Sequence, residues 1–353
     1  MSIRVIYRIA ATAVACILGA GFVSGQELWQ FFGAYGRIGF VGVFVSVLLF
    51  CGACAVVLWL SSDLEEGSME GLVYPGKPAL IRWSVTAFEM SFHFILYVLM
   101  TAATGALGAR YGLPFFTGAA FFCVVCTLVS LSGVKGVVRI FSFLVPFLVL
   151  SAIVIAIYSL GLPEGAICVS PSVGSPLTGN WFVSALVYFS FNFVASVPIL
   201  ASVGHDVRER GMPLGALLAT VPLGLLAACL IYAMLKHPGS SAFDLPMMEL
   251  AAACGKFPGT LYALLLLGGI FATGFSSQAS LNRYFEGFGI KGKRQGLLSA
   301  CLSLVAFLFG LFGFKDLISV AYPILGYIGI VPLIFIFTHA LIRFIGKQKR
   351  RKQ

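Results

Sequence analysis

An apolar run long enough to cross a bilayer is interrupted in its middle by LGAGFVSGQE, Leu18 to Glu27. Three glycines, Gly19, Gly21 and Gly25, fall within seven residues. A glycine weakens a helix interior by roughly 1 kcal/mol relative to alanine, so this stretch predicts a helix that stops and restarts. Lipid offers no water to the freed backbone groups, and such a break persists only inside protein or beside a cavity. Its carbonyls then suit a cation, and the amides that start the second half suit an anion such as a carboxylate. The alternative is a glycine-lined packing face, because small residues let membrane helices approach closely. Ser24, Gln26 and Glu27 beside the glycines favour the site.

The rest of the chain places that run in a membrane protein. Of 353 residues 59% are hydrophobic and 10% charged, with mean hydropathy +1.00, against roughly 25% charged in a soluble domain. Ten segments read as spans: Tyr7–Phe32, Ile38–Leu60, Leu80–Ala109, Pro114–Leu131, Val137–Leu160, Trp181–Gly204, Leu214–Leu235, Gly259–Tyr284, Gly296–Phe312 and Leu317–Phe344. They fill the chain as one transmembrane domain over 1–345, followed by a basic tail over 346–353. Arg4 and Arg8 before an apolar run have the outline of a signal peptide, but that run continues past the glycines to Phe32. The nine cysteines include two CxxC pairs, Cys51/Cys54 and Cys123/Cys126, both inside apolar spans, where they read as core residues. Cys168 and Cys254 fall in segments placed outside, where a disulfide between them is open.

The net charge of +10 reflects membrane orientation rather than nucleic acid. Eighteen of the 23 Lys and Arg lie at the N-terminus, in every second loop and in the tail; Arg37, Arg110, Lys236, Lys256 and Lys315 are on the other side. By the positive-inside rule both termini are cytoplasmic, in a cell (inner) membrane crossed ten times. The tail Lys347–Lys352 reads as an anchor near anionic lipid.

Ten spans divide into five and five around a Pro/Gly loop holding Pro163, Pro171 and Pro176, giving repeats over 1–161 and 176–345. Five is odd, so the second set is inverted and the sixth span is the counterpart of the first. FNFVASVP, Phe191 to Pro198, places Asn192, Ser196 and Pro198 in mid-span, and proline removes a helix bond. Paired interruptions in corresponding spans of inverted halves point to a midplane transport site. The expected architecture is therefore an all-α polytopic protein of ten transmembrane helices, a 5+5 inverted repeat with discontinuous helices 1 and 6.

GAGFVSGQE, followed by QFF and a glycine loop, resembles the YkvI-like membrane proteins, a branch of the amino acid–polyamine–organocation transporter superfamily. The resemblance extends over the chain in span count and layout, and its sharp part is the first span. It implies the LeuT fold, with spans one and six unwound at the substrate site. It also implies a sodium ion between the first break and the eighth span, FATGFSSQASL. By position its ligands are the carbonyls of Ala15, Leu18 and Thr273 and the hydroxyls of Ser276 and Ser277. The alternative is that both serines bond their own helix. The substrate would meet Gly19, Ala20, Gly21 and Phe22. The sixth span departs from the superfamily in having Asn192 and Pro198 instead of a glycine-rich break.

Other polar residues lie within or beside spans. Glu89 and His93 are at i, i+4 on the third span and can touch; intramembrane charges are costly and usually face a cavity or a partner. Glu89 is expected to bind a cationic group or a coupling proton with His93 tuning it, unless the two form a structural pair. Glu27 is expected at an outer gate or capping the second half-helix. Asn192 bonds substrate or freed backbone. His205 and Asp206 read as a solvated inner network or an inner gate, and His339 as a core histidine. Residues Ala242–Gly255 read as an outer helix, a lid in the LeuT fold. The best function is a cation-coupled secondary transporter (sodium or proton) of a small solute, an amino acid or related amine. The alternative is a ligand-sensing receptor subunit of the same fold, as in germinant receptors. An enzyme is disfavoured because the four histidines are scattered, and no cofactor is expected apart from sodium as coupling ion.

Overall fold

The computed structural model describes residues 18–62, 69–73, 79–132, 143–163, 166–207 and 212–352. Ala15 therefore lies outside the described residues, as do the side chains of His205 and Asp206.

All regular structure among the described residues is helical. The first span contributes two short pieces, α1 (Ala20–Val23) and α2 (Gln26–Phe31), and a 3-10 turn over Gly33–Ile38 leads on. There follow α3 (Gly39–Ser62), α4 (Met69–Val73), α5 (Ala79–Arg110), α6 (Phe115–Ser132) and α7 (Val145–Ser159). After an extended segment come α8 (Trp181–Val207) and α9 (Met212–Lys236), a 3-10 turn over Pro238–Ala242, and α10 (Pro246–Ala253). The chain ends with α11 (Lys256–Gly287), α12 (Lys293–Gly310) and α13 (Phe314–Lys352). Among the described residues six helices are long and apolar enough to cross a membrane, and two shorter ones, Phe115–Val129 and Val145–Ser159, are also apolar. Their outer faces carry exposed Phe44, Leu128, Leu225 and Phe312, as lipid contact requires.

The helices pack in two groups. One joins α3, α8 and α9, with α13 against α8; the other joins α5, α6, α11 and α12. The broken first span lies between them, α1 touching α7 and α11, and α2 touching α8, α9 and α13. Facing helices meet through side chain to backbone bonds, Ser46 to Ala185 O (3.3 Å) and Ser190 to Gly326 O (2.7 Å). Such bonds add to the packing that holds membrane helices together where no hydrophobic force acts between them.

The sequence expectation holds for the first span and fails for the sixth. Gly19 is extended (φ −101°, ψ 172°), and Gly25 is left-handed (φ 84°) between the two short helices. By contrast α8 runs unbroken from Trp181 to Val207 with Pro198 inside it. Its polar residues do not unwind it. The Asn192 amide donates to Tyr188 O (3.2 Å), and the Ser196 hydroxyl donates to Asn192 O (2.8 Å), both four residues back along the same helix. A proline missing one bond is tolerated in a membrane helix whose neighbours enclose it. Cys254 is not disulfide-bonded, so the disulfide to Cys168 is not formed. The expected outer helix is present as the turn at Pro238–Ala242 and α10, and the basic tail continues α13 to Lys352.

Candidate functional site

The break at Gly25 is built by local geometry. A left-handed residue costs roughly 1–2 kcal/mol for anything with a Cβ, and a Cβ here would also meet Met234 Sδ and Met247 Cγ, each at 2.9 Å. The Ser24 hydroxyl donates to Gly21 O (2.7 Å) and accepts from the Gln26 amide (3.3 Å), tying the two pieces together.

The freed carbonyls here are occupied by protein. Tyr262 of α11 donates its hydroxyl to Val23 O (2.7 Å), and the Met247 amide of α10 donates to Ser24 O (2.9 Å). They are thus not offered to a cation, contrary to the simplest reading of the sequence. The same end is sealed further. The Trp29 indole donates to Ser172 O (3.0 Å), the Ser172 amide to the Ser241 hydroxyl (3.0 Å), and Ser184 to Phe31 O (2.8 Å). Tyr35 and Thr178 share a hydrogen bond (2.8 Å). Arg110 of α5 pairs with Glu249 of α10 at 2.8 Å, strapping α10 across the end of the bundle.

On the other side of the break lies a cavity of about 730 Å³, within the usual span for small-molecule sites. Its walls come from the first span, α5, α7, α8, α11 and α13. Most residues singled out in the sequence meet there: Leu18, Gly19, Ala20, Gly21, Glu27, His93, Asn192, Thr273, Ser276 and Ser277 all line it. Three do not. Phe22 faces a separate small void of about 30 Å³ beside Phe32 and Tyr188. Ser196 is buried on its own helix carbonyl. Glu89 accepts a hydrogen bond from Tyr284 of α11 and is not in the cavity wall. Spacing made a Glu89–His93 contact possible, but Tyr284, 195 residues away in sequence, supplies the hydroxyl to Glu89. His93 Nδ1 is buried without a hydrogen-bond partner.

Glu27 stands in the first turn of α2, at the start of the second half-helix. It is 5% exposed, and its carboxyl lies where a Cβ on Gly21 would sit, so only glycine leaves it room. Tyr322 of α13 lines the same cavity. The concave side of the break thus holds the chain's own carboxylate. Tyr322, Phe191 and Phe92 also line the cavity, and no sequence signal marks their role: each is one aromatic residue among many in apolar helices.

The group read as sodium ligands is partly assembled. Leu18, Thr273, Ser276 and Ser277 all line the cavity. The Thr273 hydroxyl donates to Gly269 O (3.1 Å), which leaves its oxygen lone pairs open to an ion. Oxygen donors of this kind suit a hard monovalent cation. Among the described residues no group of three or more His, Cys, Asp or Glu gathers as a transition-metal site.

With these features in place the chain is defined as a multi-pass, all-helical membrane protein with the LeuT fold. Aligned solved structures include a manganese transporter of Eremococcus coleocola (TM-score 0.56, 16% identity, 92% of this chain and 78% of that one). They also include Mhp1 in an inward-facing conformation (TM-score 0.55, 14% identity, 94% and 75%). At such identities the likeness is one of fold. In sequence the chain is similar to two Bacillus subtilis proteins over nearly their whole lengths: the uncharacterized protein YyaD (26% identity, 92% of this chain and 94% of the relative) and the uncharacterized membrane protein YkvI (23%, 92% and 92%). No family model matches the chain. The YkvI-like, LeuT-fold resemblance carried by the first span is thus met in both sequence and fold.

Proposed function

We propose that the chain is a cation-coupled secondary active transporter of a small solute, an amino acid or related amine, working by alternating access. The observation that carries this reading is the cavity at the broken first span, largely apolar with Glu27, His93, Asn192, Thr273, Ser276 and Ser277 among its walls. We read ten spans as an inverted five-plus-five repeat: the first span with α3, α5, α6 and α7, then α8, α9, α11, α12 and α13. The charge distribution puts both termini in the cytoplasm of a cell membrane and the strap of α10 outside, so the cavity belongs to an inward-facing state. Gly19, Ala20, Gly21, Glu27, His93 and Asn192 are the residues we assign to the solute.

Sodium would be held by Leu18 and Thr273 carbonyls with Ser276 and Ser277 hydroxyls, together with Ala15 by the family's pattern. When bound, it supplies positive charge beside the break. The protein's part is to differ in ion affinity between its two states, since a ligand shifts an equilibrium only by its differential affinity. Support for coupling at this place comes from Ser277, buried at 2%, and Ser276, open to the cavity.

Reconstituted protein tests the reading. Solute panels should accumulate in vesicles under an imposed sodium or proton gradient and not without one. Changing Ser276 and Ser277 together to alanine should weaken sodium dependence. Specific binding with no accumulation under either gradient would instead favour a sensor of the same fold.

A further inference from the structure

The cavity has a chemical polarity that the broken span alone does not predict. Among the described residues Glu27 is the one carboxylic acid in its wall, and no lysine or arginine lines it. An entering cation would favour the ionised form of this carboxyl and pair with it, whereas an anion would find no basic partner in the described wall. Three rings line the same cavity. Phe191 stacks on Tyr322 with centroids 4.0 Å apart, and Phe92 lies 5.5 Å from Phe191. Glu27, Phe92, Phe191 and Tyr322 line the same cavity, so the rings and the carboxyl face one space. A cation over aromatic faces gains roughly 0.5–2 kcal/mol, more as it is desolvated, and a carboxylate adds charge neutralisation. Gly21 holds the carboxyl in place from beneath, because a side chain there would displace it.

We propose that this unit is an alkylammonium-binding subsite, with Glu27 as counter-ion and the Phe92–Phe191–Tyr322 rings as its aromatic wall. The solute is accordingly a cationic or zwitterionic amine whose ammonium, not its carboxylate, meets the broken span. This names the cargo end of the transport site and rests on that reading for its biological sense, but the binding chemistry is separate from movement.

The test uses full-length protein purified in detergent, with n-butylammonium, tetramethylammonium and butyrate as probes and thermal unfolding as the readout. Both cations should raise the unfolding temperature and saturate, while butyrate should not. Glu27→Gln, matched in shape, should weaken both cations at least 10-fold, and Tyr322→Phe several-fold. Phe191→Leu should weaken tetramethylammonium more than butylammonium. If Glu27→Gln fails to fold, the two aromatic variants still decide. Protection by butyrate, cation binding unchanged in these variants, or no protection of the wild-type protein by either cation overturns the proposal. Uptake separates the two readings. Gradient-driven uptake of an anionic solute without ammonium binding keeps the carrier and removes this subsite. Glu27-dependent ammonium binding without accumulation of any solute keeps the subsite and removes the carrier.

Discussion

The first span and α8 hold equivalent places in the two inverted halves as we read them, yet one is broken and the other is not. Both carry polar residues in mid-membrane, and α8 also carries a proline. The first span opens because Gly25 adopts a backbone conformation that other residues avoid, and because Tyr262 and Met247 take the carbonyls it frees. In α8 the side chains of Asn192 and Ser196 turn back onto their own helix, and Pro198 costs one bond without forcing a turn. Left-handed glycine supported from outside breaks a membrane helix. Proline with polar neighbours need not.

Substitutions can break or sharpen that contrast. The largest effect is expected from Gly25→Ala, which adds left-handed strain to clashes with Met234 and Met247. A loss of about 2–4 kcal/mol should appear as a lowered unfolding temperature in detergent. Gly21→Ala comes next. Its Cβ takes the space of the Glu27 carboxyl, so about 1–3 kcal/mol of overpacking should come with a larger proportional loss of ammonium binding. Pro198→Ala should do little, less than about 1 kcal/mol in the stabilising direction, since the helix is already formed and only one bond is restored. A Pro198→Ala protein that unfolds as early as Gly25→Ala would end the contrast.

The smallest effect belongs to the outer strap. Asp244 accepts from the Lys315 amide at 2.8 Å, and burial pushes its carboxyl above the usual range of about 3.8. The folded state thus holds a proton that the unfolded chain has released. Stability from this group is present at low pH and falls as pH rises from the ordinary carboxylate value through the raised one. Asp244→Asn should flatten that slope in a pH series of unfolding temperatures.

How far the sequence carried can be judged residue by residue. The glycines from Gly19 to Gly25 announced the break, because backbone freedom is a local property. Leu18, Thr273, Ser276 and Ser277 were placed through the family resemblance and do meet in one cavity. Local pattern failed where the answer lay in another helix. Glu89 was paired with His93 by spacing, while its hydroxyl donor comes from Tyr284 on α11. Glu27 does stand at the start of α2, but its place in the cavity wall, where only the bare face of Gly21 leaves its carboxyl room, was not foreseen. Phe92, Phe191 and Tyr322 had no signal, since the chain has 33 phenylalanines and 12 tyrosines and only the fold selects these three. Pro198 misled because its usual penalty belongs to helices without enclosing neighbours.

Side-by-side uptake by wild-type, Gly25→Ala and Pro198→Ala protein in vesicles, normalised to folded protein and driven by the same ion gradient, tests the central claim most directly. The account predicts accumulation by the wild-type and Pro198→Ala proteins at rates within about threefold, roughly 0.7 kcal/mol in barrier, and little or none by Gly25→Ala. Equal transport by folded Gly25→Ala protein, or loss of transport in Pro198→Ala alone, would contradict it.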